Sequence, residues 1–229
     1  GSAISTGGDV VIQTNGNAAL VDGNHQITAT QIIGSQVESS RSLAQTITID
    51  TVAPIVDYAF SFEHEQRVDI FPNDVVQFSD LIFHNETDNT TLMGNQLSLT
   101  SNGVSMSVYK ASGLFSNGNW HVSGPGPTDL AGNSPGAIDF DFYVLAGDAN
   151  RDRVVNFADL LIIAQRYNTS NNGFSQGNFD YSSNGLVDFS DLLIVAQNYN
   201  VSVPAALLSA QRQRGALALL EDRAERWLA

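Results

Sequence analysis

Apolar and polar residues alternate in short bursts over the first two thirds of the chain, and then the period changes. His25–Ile32 alternates cleanly, Val10–Ile12 and Ala44–Ile49 read as short strands, and Asn15-Gly16 and Asp22-Gly23 are turn dipeptides. From Pro54 the alternation resumes in Ile55–Phe62, Val68–Ile70, Val75–Phe78, Gln96–Leu99, Val104–Val108, Gly118–Val122 and Ile138–Leu145. Turn signals separate these segments at the spacing of a β-sandwich. Trp120 lies in the middle of one of them, so it is expected in the core rather than on a sugar-binding surface.

After residue 145 the period becomes helical. Phe157, Leu160, Leu161, Ala164 and Tyr167 mark one amphipathic stripe, and Phe189, Leu192, Leu193, Ala196 and Tyr199 mark a second, both expected to face a core. The off-stripe residues Ile162, Ile163, Ile194 and Val195 widen the apolar surface in both helices, which makes them the expected partner-binding positions. Beyond Asn200, Pro204 can open a further helix, with Leu217, Leu220, Ala224, Trp227 and Leu228 on one stripe and Arg212, Arg214, Arg223 and Arg226 among them. This tail has two readings, a helix packed on the preceding unit or a sorting signal. It is too short and too charged to span a bilayer.

The two helices belong to an internal repeat. Asp148–Asn168 and Asp180–Asn200 are identical at 11 of 21 aligned positions. Each copy opens on a stretch with the spacing of a twelve-residue calcium loop, in which oxygens come from positions 1, 3, 5, 7, 9 and 12. In the first copy these are Asp148, Asn150, Asp152, the carbonyl of Val154, Asn156 through water, and Asp159. Equal spacing gives Asp180, Ser182, Asn184, the carbonyl of Leu186, Asp188 and Asp191 in the second. The donor set is all oxygen, as a hard cation requires, and two bound calcium ions are expected. An Asp/Asn-rich turn that only caps a helix is the alternative, and two copies in register favour the metal. Position 12 is Asp in both loops, one methylene shorter than the usual Glu. Position 6 is Gly185 in the second loop but Arg153 in the first, so the first is expected to carry more backbone strain.

Composition narrows the function. Ten Lys and Arg against 24 Asp and Glu give a net charge of −14, which argues against nucleic acid and anionic membrane surfaces as partners. With no cysteine there is neither a disulfide framework nor a zinc–thiolate site. No twenty-residue apolar span is present. No G-x-S-x-G, H-E-x-x-H or Gly-rich phosphate loop occurs, and His25, His64, His84 and His121 are scattered. The carboxylate pairs Glu63/Glu65 and Asp139/Asp141 stand two apart on strand faces with no cleft implied, so no catalysis is expected.

A calcium loop followed by a single exit helix, repeated once, resembles a dockerin domain, the bacterial calcium-dependent module that docks extracellular enzymes onto cohesin domains. The resemblance carries over the metal ligands named above and implies a cohesin-like partner and an extracellular or cell-surface location. At loop positions 10 and 11, where cohesin-binding relatives often carry Ser-Thr, this chain has Phe157-Ala158 and Phe189-Ser190. Upstream, D-G-N-H-Q-I-T-A-T from Asp22, L-A-Q-T-I-T-I-D-T-V-A-P from Leu43 and T-D-L-A-G-N from Thr128 resemble strands and turns of bacterial Ig-like domains. The fold expected is mainly β: Ig-like β-sandwich domains followed by a small all-α, dockerin-like domain with two EF-hand-type calcium loops. Its divisions are a partial Ig-like unit over 1–52, an Ig-like sandwich over 53–146, the calcium module over 147–202 and a helical tail over 203–229, together a piece of something longer. Three functions fit: a docking module with the Ig-like part as spacer, a purely structural calcium-stabilised end of an extracellular array, or the accessory region of a polysaccharide-degrading enzyme.

Overall fold

The computed structural model describes residues 2–5, 11, 20–101 and 105–205. The expected tail helix with its four arginines, both ends of the Val10–Ile12 strand, the Asn15-Gly16 turn and Val104 lie outside the described residues.

Alternation becomes stable sheet only where one face has something to bury against. β1 (Gly23–Ile27) and β2 (Gln45–Ile49) pair antiparallel as a ribbon by themselves. All their residues except His25 and Ile49 are exposed, so among the described residues the first unit has no core of its own. Asn133 reaches across to it, donating from Nδ2 to the Asp50 carbonyl at 3.0 Å.

The next unit is a β-sandwich of two four-stranded antiparallel sheets. One has the order β3 (Val56–Ser61), β4 (Arg67–Pro72), β9 (Met106–Lys110), β8 (Leu97–Ser101). The other has the order β12 (Ile138–Val144), β10 (Gly118–Gly124), β6 (Ile82–Asn85), β7 (Thr91–Met93). β5 (Val76–Gln77) and β11 (Thr128–Asp129) form a separate short ribbon. Val68, Ile70 and Val108 from the first sheet meet Phe83, Leu92, Trp120, Val122, Phe142 and Val144 from the second in one core. Trp120 is buried there as expected, with its ring against Phe115 and Phe142 and its indole N–H donating to the Ser116 carbonyl at 2.9 Å. The period of the sequence missed β6, β7 and β11, because runs of two to four residues contain too few alternations to read.

β12 leads through Leu145, Ala146 and Gly147 straight into the repeat, and no flexible linker separates the two units. α1 (Phe157–Arg166) and α2 (Phe189–Asn198) start alike. Asn156 accepts from the Ala158 N–H at 2.7 Å while Asp159 accepts from the Asn156 N–H at 2.9 Å. Asp188 and Asp191 repeat both bonds at 2.7 and 2.9 Å, so each helix opens on a reciprocal capping box. Each helix stops at a tyrosine, followed by a left-handed asparagine, Asn168 or Asn200, a conformation asparagine tolerates better than most residues. The two copies then cross-pair: Asn168 N–H donates to the Val187 carbonyl and Asn200 N–H to the Val155 carbonyl, both at 2.8 Å.

The helix faces differ from those expected. Ile163 and Val195 are the buried centre of the module, each 1% exposed, and Ile162 and Ile194 pack partly against the same core. Phe157, Leu161 and Tyr167, with their counterparts Phe189, Leu193 and Tyr199, are the exposed apolar residues. Both faces are apolar, so periodicity alone could not tell which one the partner helix and the sandwich would cover.

Candidate metal centre

The first loop folds around two buried carboxylates. Asp148 accepts from the Asp152 N–H at 3.1 Å with one oxygen, and from the Arg153 N–H at 3.0 Å with the other. Asp159, on the first turn of α1, reaches back to the N–H groups of Ala149 and Asn150 at 2.8 and 3.3 Å. Asn150 and Asp152 accept from backbone two residues on, at 3.0 Å each. These bonds curl the chain back on itself between Asp148 and Asp159, and both carboxylates are 0% exposed. Burial pushes the Asp148 carboxyl above its usual value, and the charge of Asp159 adds to that, against the donors from Arg153 and Tyr143. Neither carboxylate has an ion-pair partner among the described residues. An all-oxygen set with buried, unpaired carboxylates fits a divalent hard cation.

Arg153 occupies the left-handed position expected for it, at φ +72°, and Arg151 stands at +60°. Each costs roughly 1–2 kcal/mol of backbone strain. Contacts to the sandwich offset that cost. The Arg151 guanidinium stacks on Tyr143 and Phe62 at 3.8 and 4.3 Å from the ring centroids and donates to the Tyr143 carbonyl at 3.2 Å. Arg153 stacks on Tyr143 at 3.9 Å and donates to Asn119 Oδ1 at 3.0 Å and to the Val203 carbonyl at 3.3 Å. Burial pushes the Tyr143 hydroxyl up to about 12. The segment between the loops is tied down as well, because Ser175 donates from its hydroxyl and backbone to Glu63, and Tyr181 donates to the Phe62 carbonyl.

The second loop repeats this frame with a change of register. Asp191 is again 0% exposed, and burial again raises its carboxyl. It accepts from Phe179 and Asp180 N–H at 2.6 and 3.2 Å, so these two residues stand where Ala149 and Asn150 stand in the first loop. Ser182 N–H donates to Asn178 Oδ1 at 3.1 Å, as Asp152 N–H does to Asp148. Tyr181 at φ +57° matches Arg151, and Gly177 before Asn178 matches Gly147 before Asp148, at +103° and +93°. A Cβ on Gly147 would press on Val195 and Val155, and one on Gly177 on the equivalent Ile163 and Val187. Equal spacing put Asp180 first. By these bonds Asn178 is the structural counterpart of Asp148, and each of the two follows a left-handed glycine. Gly185 keeps its expected left-handed place, where a Cβ would lie 2.5 Å from the Asn172 nitrogen.

Two other acidic clusters lie on the sandwich. His121 Nδ1 contacts Asp141 at 2.8 Å with Asp139 nearby, and Asp50, Asp74 and Asp129 gather beside the first ribbon. In the second, Asp129 organises its turn by accepting from Ala131, Asn133 and the Asn133 amide. The sequence shows the Asp139/Asp141 pair on one strand face, and strand pairing brings His121 to it.

The chain matches none of the curated proteins it was compared with. The family model for the dockerin type I domain matches residues 146–200, which span both loops and both helices. That segment is a type I dockerin domain, a non-catalytic calcium-binding docking module.

Proposed function

We propose that residues 147–202 bind two calcium ions, order the helix pair and dock a cohesin-like domain, in a secreted or surface-attached bacterial protein whose Ig-like sandwich over 53–146 serves as a spacer. The observation that carries this reading is the paired arrangement of Asp159 and Asp191. Each is buried at the head of its helix and holds closed its Asp/Asn-rich loop, with no ion-pair partner among the described residues. In the first loop Asp148, Asn150, Asp152, the Val154 carbonyl, Asn156 and Asp159 would hold the ion. Calcium there supplies charge neutralisation, and the protein supplies the turn, the caps and the exclusion of water from the inner carboxylates. Phe157 and Leu161 on one helix and Phe189 and Leu193 on the other are exposed and related by the repeat, which supports a partner seated on either helix face.

A second reading, a calcium-stiffened structural end, draws on the arginine clamp between loop and sandwich. The accessory part of a polysaccharide-degrading enzyme is a third setting for the same module. Among the described residues no helix is long and apolar enough to cross a membrane.

Calcium titration by calorimetry tests the reading, with melting in EDTA and the variants Asp148→Ala and Asp180→Ala alongside. Two binding events, one lost in each variant, and a lowered melt in EDTA are expected. Absence of calcium heat with an unchanged melt would remove the metal and the docking proposal together. Binding to a cohesin panel, present in calcium and absent in EDTA, separates docking from the structural reading.

A further inference from the structure

The second loop is two residues longer than the first between matching points. Asp148 to Asp159 spans a twelve-residue loop, whereas Asn178, the structural match of Asp148, lies thirteen residues before Asp191. The extra pair is accommodated after Ser182, at Ser183 and Asn184, both exposed. Beyond it the copies realign, since Gly185 and Arg153 are both left-handed and Asp188 and Asn156 are both caps.

Resting on the calcium-binding reading above, we propose that the second ion is held in a fourteen-residue loop by Asn178, Asp180, Ser182, the Leu186 carbonyl, Asp188 through water and Asp191, with Ser183-Asn184 bulged out of the coordination sphere. Asn184 is then no ligand, and position 1 is a neutral amide.

Two observations carry the assignment. Ser182 Oγ bonds both Asn178 Oδ1, at 2.9 Å, and the Leu186 carbonyl, at 3.2 Å. Oxygens from positions 1, 5 and 7 therefore already converge on one point. Asn178 is 2% exposed, and its nitrogen faces two carbonyls, Asn172 at 3.3 Å and Ser182 at 3.4 Å. A carboxylate there would meet those carbonyls with like partial charge, so the amide suits the site, with its oxygen turned into the loop. Leaving aside the position that acts through water, the first site carries three carboxylates, Asp148, Asp152 and Asp159, and the second two, Asp180 and Asp191, so the second binds calcium more weakly, because affinity follows the charge of the direct ligands.

The test is a calcium titration of the whole chain followed by side-chain amide NMR, with calorimetry on Asn178→Ala and Asn184→Ala. In the unmodified protein the Asn178 side-chain amide should shift with the second, weaker equivalent and the Asn184 amide should not. Asn178→Ala should lose roughly tenfold or more in affinity at the second site, and Asn184→Ala should bind two ions as before. A shifting Asn184 amide, with loss of the second site in Asn184→Ala, would overturn the assignment while leaving calcium binding standing. No calcium response from any amide would instead overturn the calcium reading itself. The NMR result on the unmodified chain decides the matter even if Asn178→Ala fails to fold.

Discussion

The Tyr143 hydroxyl donates to Asp148 at 3.1 Å, so the last sandwich strand holds the first residue of the first proposed calcium loop. Tyr143 also lies beneath both arginines of that loop. One side chain thus joins the fold of the sandwich to the shape of the proposed metal site.

Tyr143→Phe keeps the ring and removes only the donor. Groups that orient a metal ligand typically contribute 10–100-fold to affinity. Calorimetry should show about a tenfold loss of calcium affinity at the first site, an unchanged second site and an unchanged sandwich. Equal affinity at both sites relative to the parent would show that Asp148 is oriented by backbone alone.

Arg151→Ala deletes the stack on Tyr143 and Phe62. A cation between two desolvated rings is worth about 2 kcal/mol, and its loss should lower stability in calcium by that amount. Arg151→Lys should recover only part, because an ammonium lacks the flat guanidinium face. Chemical denaturation followed by tryptophan fluorescence reads the difference at Trp120, in the sandwich core.

Asp69 bears on acid stability. Burial opposes its charge, but hydrogen bonds from Ser107, Ser61 and Arg67 prevail and hold its carboxyl below the usual value. A carboxyl lowered in the folded state stabilises above its unfolded pKa of about 3.9, and that contribution is lost as pH falls through the folded value. Wild type should therefore exceed Asp69→Asn in denaturation midpoint at pH 7, and the gap should close as pH falls below about 4. A gap that persists at pH 2 would mean that packing, not charge, made the difference.

Phe157→Ser and Phe189→Ser change exposed side chains, each 65% accessible. Stability and calcium uptake should stay within about 0.5 kcal/mol of the parent. If the repeated faces are alternative seats for one cohesin-like partner, each single variant should retain capture and the double variant should lose it. Retention by the double variant would place docking elsewhere.

Much of this protein follows from local order along the chain. Period-2 runs from Ile55 and period-3.6 runs from Phe157 assign element types without tertiary information, because each element needs one apolar face. The caps Asn156 and Asp188, and the bonds by which Asp159 and Asp191 close the capping boxes, act within three residues, so those roles are local as well. Trp120 was placed in the core by its position in an alternating run, and the sandwich buries it.

Other features depend on partners far away in sequence. The stripe that turns inward, centred on Ile163 and Val195, is buried against distant segments, among them the glycines Gly177 and Gly147 that precede the loops. The register of the second loop was decided by Asp191 reaching back to Phe179 and Asp180, a choice that equal spacing cannot express when two residues are inserted. The strained arginines make sense only against Tyr143, which a different strand supplies. Sequence by itself determined the kinds of elements and the oxygen chemistry of the loops, because those rest on neighbours within a turn or two. Tertiary structure decided which oxygens meet and which faces remain exposed, because hydrogen bonds and close packing between distant segments set those distances.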